Sequence, residues 1–119
     1  AAAPLVCQVA RVVLHRVSDP DFLADVSTKG EHMAVRLRGL ADKSRVVRDV
    51  RGRGLLWGVE CTVEAPQVVA AGHRNGLLTC AAGTDVVRLL PPLTVTLAEV
   101  DEIVDRLASA LTDVERDAA

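Results

Sequence analysis

Aromatic residues are scarce in this sequence. Its 119 residues include no tyrosine, one tryptophan and one phenylalanine. Proteins that bind single-stranded nucleic acid stack the bases on aromatic side chains, and this chain offers almost none. The formal net charge is −2, whereas nucleic-acid-binding domains usually carry an excess of positive charge. Nucleic acid is therefore not a predicted partner.

Long apolar runs are also missing. No stretch of about 18 apolar residues occurs, so no membrane-spanning helix and no membrane partner are predicted. Residues 1–7 lack the positively charged lead of a secretory signal. Half of the residues are apolar and a quarter are charged, which is ordinary globular composition, and the length suits one domain.

The cysteine and histidine residues do not form a metal-binding pattern. Cys7, Cys61 and Cys80 are an odd number at wide spacing, with no Cys-x-x-Cys pair. The histidines are equally scattered, so no zinc site is predicted. Reduced, buried cysteines, as in a cytosolic protein, are the predicted state.

Proline and capping residues mark the helices. Pro4 suits the first turn of a helix, and Asp19-Pro20 suits the cap and first residue of a second. Gly30 lies on the apolar stripe of that second helix, which predicts a closely packed neighbour. Pro66 opens a third helix, and Asn75-Gly76 is expected to end it.

The last helix has the clearest start. Thr96 and Glu99 form a capping box, in which each side chain accepts a hydrogen bond from the other residue's backbone N–H. From Val114 onward the sequence is polar, and fraying is expected there.

Four strands are predicted between and after these helices: residues 46–50 ahead of Arg51-Gly52-Arg53-Gly54, and residues 55–61, 77–81 and 86–90. Glycines at the first connection favour a hairpin, and Gly58 within a strand indicates a bulge or a close contact. The element order predicts an α+β domain with a mostly antiparallel sheet of about four strands covered by helices.

The strand at 86–90 contains the best candidate for a binding residue. Arg88 lies among aliphatic residues, and Pro91-Pro92 ends the strand directly after it. A guanidinium fixed on a rigid element suits a carboxylate or phosphate ligand. Two other interpretations remain open: an ion pair with an internal acid, or a place on the solvent face of the strand. No catalytic set is visible, since there is no phosphate loop and neither Lys29 nor Lys43 lies at an apolar strand end.

Several segments together resemble the C-terminal small domain of class III pyridoxal-phosphate aminotransferases, especially the acetylornithine and succinylornithine branch. Pro4-Leu5-Val6-Cys7 is similar to the start of the helix that links the two domains of that family. Residues 50–60 are similar to its Val-Arg-Gly-x-Gly-Leu-x-x-Gly strand pair. Asn75-Gly76-Leu77-Leu78 and residues 85–96 are similar to its final strands and the helix start after them.

This resemblance implies the small domain of a fold-type I enzyme that uses pyridoxal 5'-phosphate. Such enzymes are cytosolic homodimers of arginine biosynthesis that transfer an amino group between N-acetylornithine and 2-oxoglutarate. The resemblance gives Arg88 the role of binding the α-carboxylate of the small-molecule amino-acid substrate. It does not select among ornithine, acetylornithine, succinylornithine and 4-aminobutyrate.

In the family, the lysine that binds the cofactor covalently lies in an N-terminal large domain. Residues 1–119 are thus expected to be a single C-terminal small domain, a fragment of a longer chain whose large domain is missing. The chain alone is then expected neither to bind the cofactor tightly nor to transaminate. Leu5, Val9 and Val12 of the first helix are expected to form an exposed apolar face and to favour self-association.

Two other functions stay open on the residues alone. One is a stand-alone binding or regulatory module that senses a small carboxylate through Arg88. The other is a structural or oligomerisation domain that has no ligand.

Overall fold

The computed structural model describes residues 3–118. Its elements are α1 Pro4–Val17, α2 Pro20–Lys43, β1 Val47–Arg53, β2 Leu56–Cys61, α3 Ala65–Arg74, β3 Cys80–Ala81, β4 Val86–Leu89 and α4 Leu97–Ala118. The strands form one sheet in the order β1-β2-β4-β3, and every neighbouring pair is antiparallel. The predicted α+β class and four-stranded antiparallel sheet are confirmed. None of the described helices has both the length and the apolar character needed to cross a membrane.

The two faces of the sheet differ in what covers them. Side chains alternate between the faces along a strand, and β2 follows this period with Trp57, Val59 and Cys61 buried. Val87 and Leu89 of β4 join them in the core. The opposite face, which we call the open face, carries the residues that alternate with these buried ones, together with their register partners on the neighbouring strands. They are Asp49, Arg51, Arg53, Leu56, Gly58, Glu60, Cys80, Val86 and Arg88.

Three helices pack on the buried face. α2 contacts β1, α3 contacts β3 and β4, and α4 contacts both α2 and α3. Their largest fully buried side chains are Met33, Leu37, Val68, Val100, Val104, Leu107 and Leu111. All helices except α1 thus lie on one side of the sheet, which leaves the open face without a helical cover.

The predicted helix starts are confirmed by their caps. Oδ1 of Asp19 accepts a hydrogen bond from the backbone N–H of Asp21 at 3.1 Å. Thr96 and Glu99 exchange two bonds, each of 3.1 Å, as a capping box requires. Both caps satisfy backbone N–H groups that have no partner within the helix.

The expected fraying after Val114 is wrong, since α4 continues to Ala118. Val114 is buried at 4% exposure and adds apolar contact beyond the predicted end. Glu115 accepts bonds from the Arg45 N–H at 2.7 Å and the Ser44 hydroxyl at 3.3 Å. These contacts with residues distant in sequence stabilise the last turns of α4, and the polar composition of the local sequence does not reveal them.

One predicted strand is shorter than expected, and one of the two alternatives for Gly58, a bulge, is excluded. The strand expected at 77–81 is reduced to Cys80–Ala81, because the Leu77 N–H bonds to the Gly72 carbonyl at 2.8 Å and closes α3. Gly76 is the residue with positive φ in this turn. The only bulge-like register shift of β1 lies between Val47 and Asp49, whereas Gly58 remains in regular pairing.

The β1–β2 turn is locked against α2. Gly54 has a φ of 58°, and the Trp57 indole donates to its carbonyl at 2.8 Å. A methyl group added at Gly30 would lie 2.7 Å from the same carbonyl oxygen. The predicted close neighbour of Gly30 is therefore the backbone of this turn.

Helix α1 has no buried residue. Leu5, Val9 and Val12 are 75%, 56% and 69% exposed, so the predicted exposed apolar face is confirmed. The Arg16 guanidinium lies 5.2 Å from the centre of the Phe22 ring, a contact that joins α1 to α2.

We expect Gly30→Ala to destabilise the fold by about 1–3 kcal/mol, because its methyl group meets backbone atoms that cannot rotate away. Gly39→Ala in the same helix is the matched control. Nothing lies within 4 Å of a methyl group there, and the change should stabilise by about 0.5–1 kcal/mol. Urea denaturation measures both. Equal effects of the two variants would contradict the packing argument.

An ion cluster joins α2 to α4. His32 Nε2 lies 2.7 Å from Asp101 Oδ1, and the Arg36 guanidinium contacts Asp101 at 2.8 Å and also Asp105. The hydrogen bond from His32, with Arg36 nearby, lowers the pKa of Asp101.

A lowered carboxyl pKa stabilises the folded state at pH values above the pKa of the unfolded chain, about 4. That stabilisation is lost as the pH falls through the lower folded value. We therefore expect Asp101→Asn to lower Tm at pH 6 and to reduce the loss of Tm on acidification to pH 3. Thermal unfolding across this range measures both, and parallel curves would contradict the linkage.

Candidate functional site

Arg88 lies in the middle of the open face. It pairs with Gly58 of β2 on one side and with Cys80 of β3 on the other. Its neighbours Val87 and Leu89 are buried on the opposite face, so the core fixes the strand that carries it. The arginine itself is exposed. Within residues 3–118 its side chain makes no ion pair and no hydrogen bond.

The nearby acidic residues bind other arginines. Glu60 lies 3.5 Å from both Arg48 and Arg51, and Asp49 lies 3.7 Å from Arg51. Asp85 lies 3.7 Å from Arg48. These acidic side chains therefore neutralise Arg48 and Arg51 of β1. The interpretation of Arg88 as half of an internal ion pair is excluded, and its position on an uncovered strand face is what the structure shows.

Positive charge without a matching acid collects toward the hairpin end of the open face. Arg53 pairs in register with Leu56, which is 50% exposed. No acidic group lies within salt-bridge distance of Arg53 or Arg88 in the described part of the chain. Such a surface attracts an anionic group, and a planar guanidinium binds a carboxylate through two hydrogen bonds.

The lysines do not fit the role of binding pyridoxal phosphate. Lys29 is buried, its Nζ lies 2.7 Å from Asp25 Oδ2, and it donates to the Leu93 carbonyl at 3.3 Å. Lys43 is exposed in the last turn of α2. A lysine that reacts with a cofactor needs a free amine facing the site, and neither residue provides one.

Cys61 is buried as predicted, whereas the prediction of burial is wrong for Cys7 and Cys80, which are exposed. Burial, together with Asp85 and Glu60, raises the pKa of the Cys61 thiol to about 11, which keeps it protonated and unreactive. Over residues 3–118, no group of three or more His, Cys, Asp or Glu side chains is placed to hold a metal ion. The chemistry available on the open face is therefore anion binding.

Two features of the site were missed in the sequence. The row Arg51–Gly58–Arg88–Cys80 crosses all four strands, and only the strand register brings these residues together. The bond from Lys29 to Leu93 joins α2 to the segment that follows β4. Lys29 is a single lysine on the apolar stripe of α2, and from this pattern a buried, hydrogen-bonded lysine could have been predicted.

Comparison with known proteins places the chain among aminotransferases. Residues 1–111 match the family described as Aminotransferase class-III. The acetylornithine aminotransferase of Corynebacterium efficiens is 43% identical over 112 residues, covering 93% of this chain and 27% of that protein. The mitochondrial acetylornithine aminotransferase of Alnus glutinosa is 39% identical over 117 residues, covering 98% of this chain and 26% of that protein.

Solved structures agree with this. The N-acetylornithine aminotransferase from Stenotrophomonas maltophilia superposes with a TM-score of 0.90 at 30% identity, covering 98% of this chain and 33% of that one. This chain spans about a quarter of the length of the two curated relatives described above.

We expect the chain alone to form no stoichiometric covalent adduct with added pyridoxal phosphate, because Lys29 is engaged and Lys43 has no enclosing site. Absorbance spectra recorded during titration with the cofactor measure this. A saturable band of one cofactor per chain, lost in Lys29→Arg or Lys43→Arg, would contradict it.

Proposed function

The chain belongs to the class-III aminotransferase family, and from this premise we propose that residues 1–119 are the carboxylate-binding small domain of an acetylornithine-type aminotransferase. The uncompensated guanidinium of Arg88 on the open face carries the proposal. The matched acetylornithine aminotransferases support the substrate class. The remaining three-quarters of such an enzyme would be the large domain that completes the site.

The proposed reaction moves an amino group between N-acetylornithine and 2-oxoglutarate, a step of arginine biosynthesis, in a cytoplasmic homodimer. Pyridoxal phosphate would be held by residues outside this chain, because Lys29 and Lys43 do not fit that role. The contribution of this domain is to bind and orient the substrate.

Arg88 binds the α-carboxylate in this proposal. Its strand is fixed on one side by core packing and on both edges by pairing, so the backbone that carries the guanidinium is in place before substrate arrives. A carboxylate that accepts two hydrogen bonds from the planar guanidinium is held in one orientation. Covering by the large domain removes water and strengthens the ion pair.

The apolar side of α1 supports a further part of the proposal. Leu5, Val9 and Val12 are exposed on a helix that buries none of its own residues. Exposed apolar patches of this kind mark contact surfaces. We assign this face to contact with the large domain or the second subunit.

A stand-alone carboxylate sensor has less support. The family match extends over residues 1–111, and the relatives described above are aminotransferases. A purely structural domain is likewise not favoured by this family match.

We expect Arg88→Ala, in the full-length enzyme, to raise KM for the amino-acid substrate by about tenfold to a hundredfold, because charged hydrogen bonds are lost. Arg88→Lys keeps the charge without the planar fork and should recover only part of the affinity. Arg45→Ala is the control, since the Arg45 backbone N–H, rather than its side chain, bonds to Glu115. Steady-state kinetics measure all three. An Arg88→Ala enzyme with unchanged KM would refute this role.

A further inference from the structure

Gly58 lies on the open face, and neither its backbone conformation nor its packing within the described chain requires a glycine. It lies inside β2 and pairs on both sides, and its φ is not in the left-handed region, which holds only Gly54, Gly76 and Gly83 among the described residues. A glycine in the interior of a strand weakens the strand, so its presence needs a local reason.

Packing within the chain does not supply that reason. A methyl group at Gly58 would meet Val86 Cγ1 at 3.3 Å and the Arg51 carbonyl oxygen at 3.8 Å, and no other atom of the described chain within 4 Å. One side-chain methyl at that distance can shift by a few tenths of an ångström. By contrast, a methyl group at Gly30 would meet backbone atoms of Gly54 at 2.7 to 2.9 Å.

The position of Gly58 points to a ligand. It lies between Arg51 and Arg88 in one row of the sheet. Neighbouring strands lie about 4.8 Å apart, so the Cα atoms of the two arginines are about 10 Å apart, with a bare strip of backbone at Gly58 between them. Arg51 is held by Asp49 and Glu60, whereas Arg88 has no acidic partner. The bare strip therefore adjoins the one arginine of this row whose charge is available.

We propose that Gly58 is a specificity-determining residue, which leaves room beside Arg88 for the α-carboxylate and α-carbon of an amino-acid or 2-oxo-acid substrate. This inference rests on the proposed role of Arg88. A side chain at residue 58 would occupy the space over which the carboxylate lies when the guanidinium holds it. The glycine thus acts by the absence of a side chain, and Arg88 supplies the binding energy.

The test compares Gly58→Ala and Gly58→Val in the full-length enzyme, each with and without Arg88→Ala. We expect KM for the amino-acid substrate to rise with side-chain size, by about tenfold for valine, the size of effect that a misfit of one or two methyl groups has in a binding pocket. Tm of Gly58→Ala should change little, because alanine favours a strand more than glycine does, and this gain is set against the 3.3 Å contact of its methyl group with Val86 Cγ1. Gly39→Ala, whose added methyl group contacts nothing, is the control.

The Arg88→Ala background separates the two proposals. If the carboxylate no longer docks there, valine at residue 58 should change KM by less than about twofold, the non-additivity expected of neighbours acting on one ligand. Fully additive effects would overturn the inference about Gly58, and so would an unchanged KM in Gly58→Val when Arg88→Ala alone raises it. An unchanged KM in Arg88→Ala would instead refute the proposed function.

The same variants distinguish substrate from protein as the occupant of the bare strip. If backbone from another part of the enzyme packs on Gly58, Gly58→Val lowers Tm or dissociates the assembly while KM is preserved. Differential scanning fluorimetry and sedimentation velocity measure those changes, and that result would also overturn the inference. The mild Gly58→Ala variant keeps the test valid if valine prevents folding.

Discussion

The pairing of β2 with β4 determines which side chains face the core and which face outward. Because side chains alternate along a strand, a slip of one residue would exchange the two faces. In the observed register Trp57, Val59 and Val87 fill the core, and Arg88 emerges on the other side beside Gly58. The packing that stabilises the sheet therefore also places Arg88 on the open face.

The charge available at Arg88 follows from how the acids on this face are distributed. Glu60 lies on the central strand β2, but Arg48 and Arg51 of β1 already contact it. These are partly exposed pairs, and such pairs contribute little to stability. Their clearer effect is to divide the face into a neutralised half and a half with net positive charge.

The sequence predicted the helix starts well, because the residues that mark them have a restricted structural role. Pro4, Asp19-Pro20 and the Thr96–Glu99 box mark helix starts because a proline or a capping oxygen fits few other positions. Arg88 could be singled out because a charge among aliphatic residues is unusual. The resemblance to an aminotransferase small domain then supplied its proposed partner.

The missed features depend on contacts between distant parts of the chain. The last turns of α4 are held by Val114 in the core and by the bonds of Glu115 to the segment between α2 and β1, so a polar tail becomes a stable helix. Burial of Lys29 depends on the Leu93 carbonyl, 64 residues away in the sequence. The place of Gly58 beside Arg88 likewise requires the register, which no single segment of sequence encodes.

The contact between Gly30 and the Gly54 turn has a consequence for how this domain can diversify. Backbone meets backbone there, and the Trp57 indole is bonded to the same carbonyl, so the hairpin has no room for an inserted residue. Many surface loops can be lengthened at small energetic cost, but an insertion in this turn would disturb its contact with α2. Exchanges of single residues on the strands can alter the open face and still leave the length of the turn, and with it the seat of the hairpin on α2, unchanged.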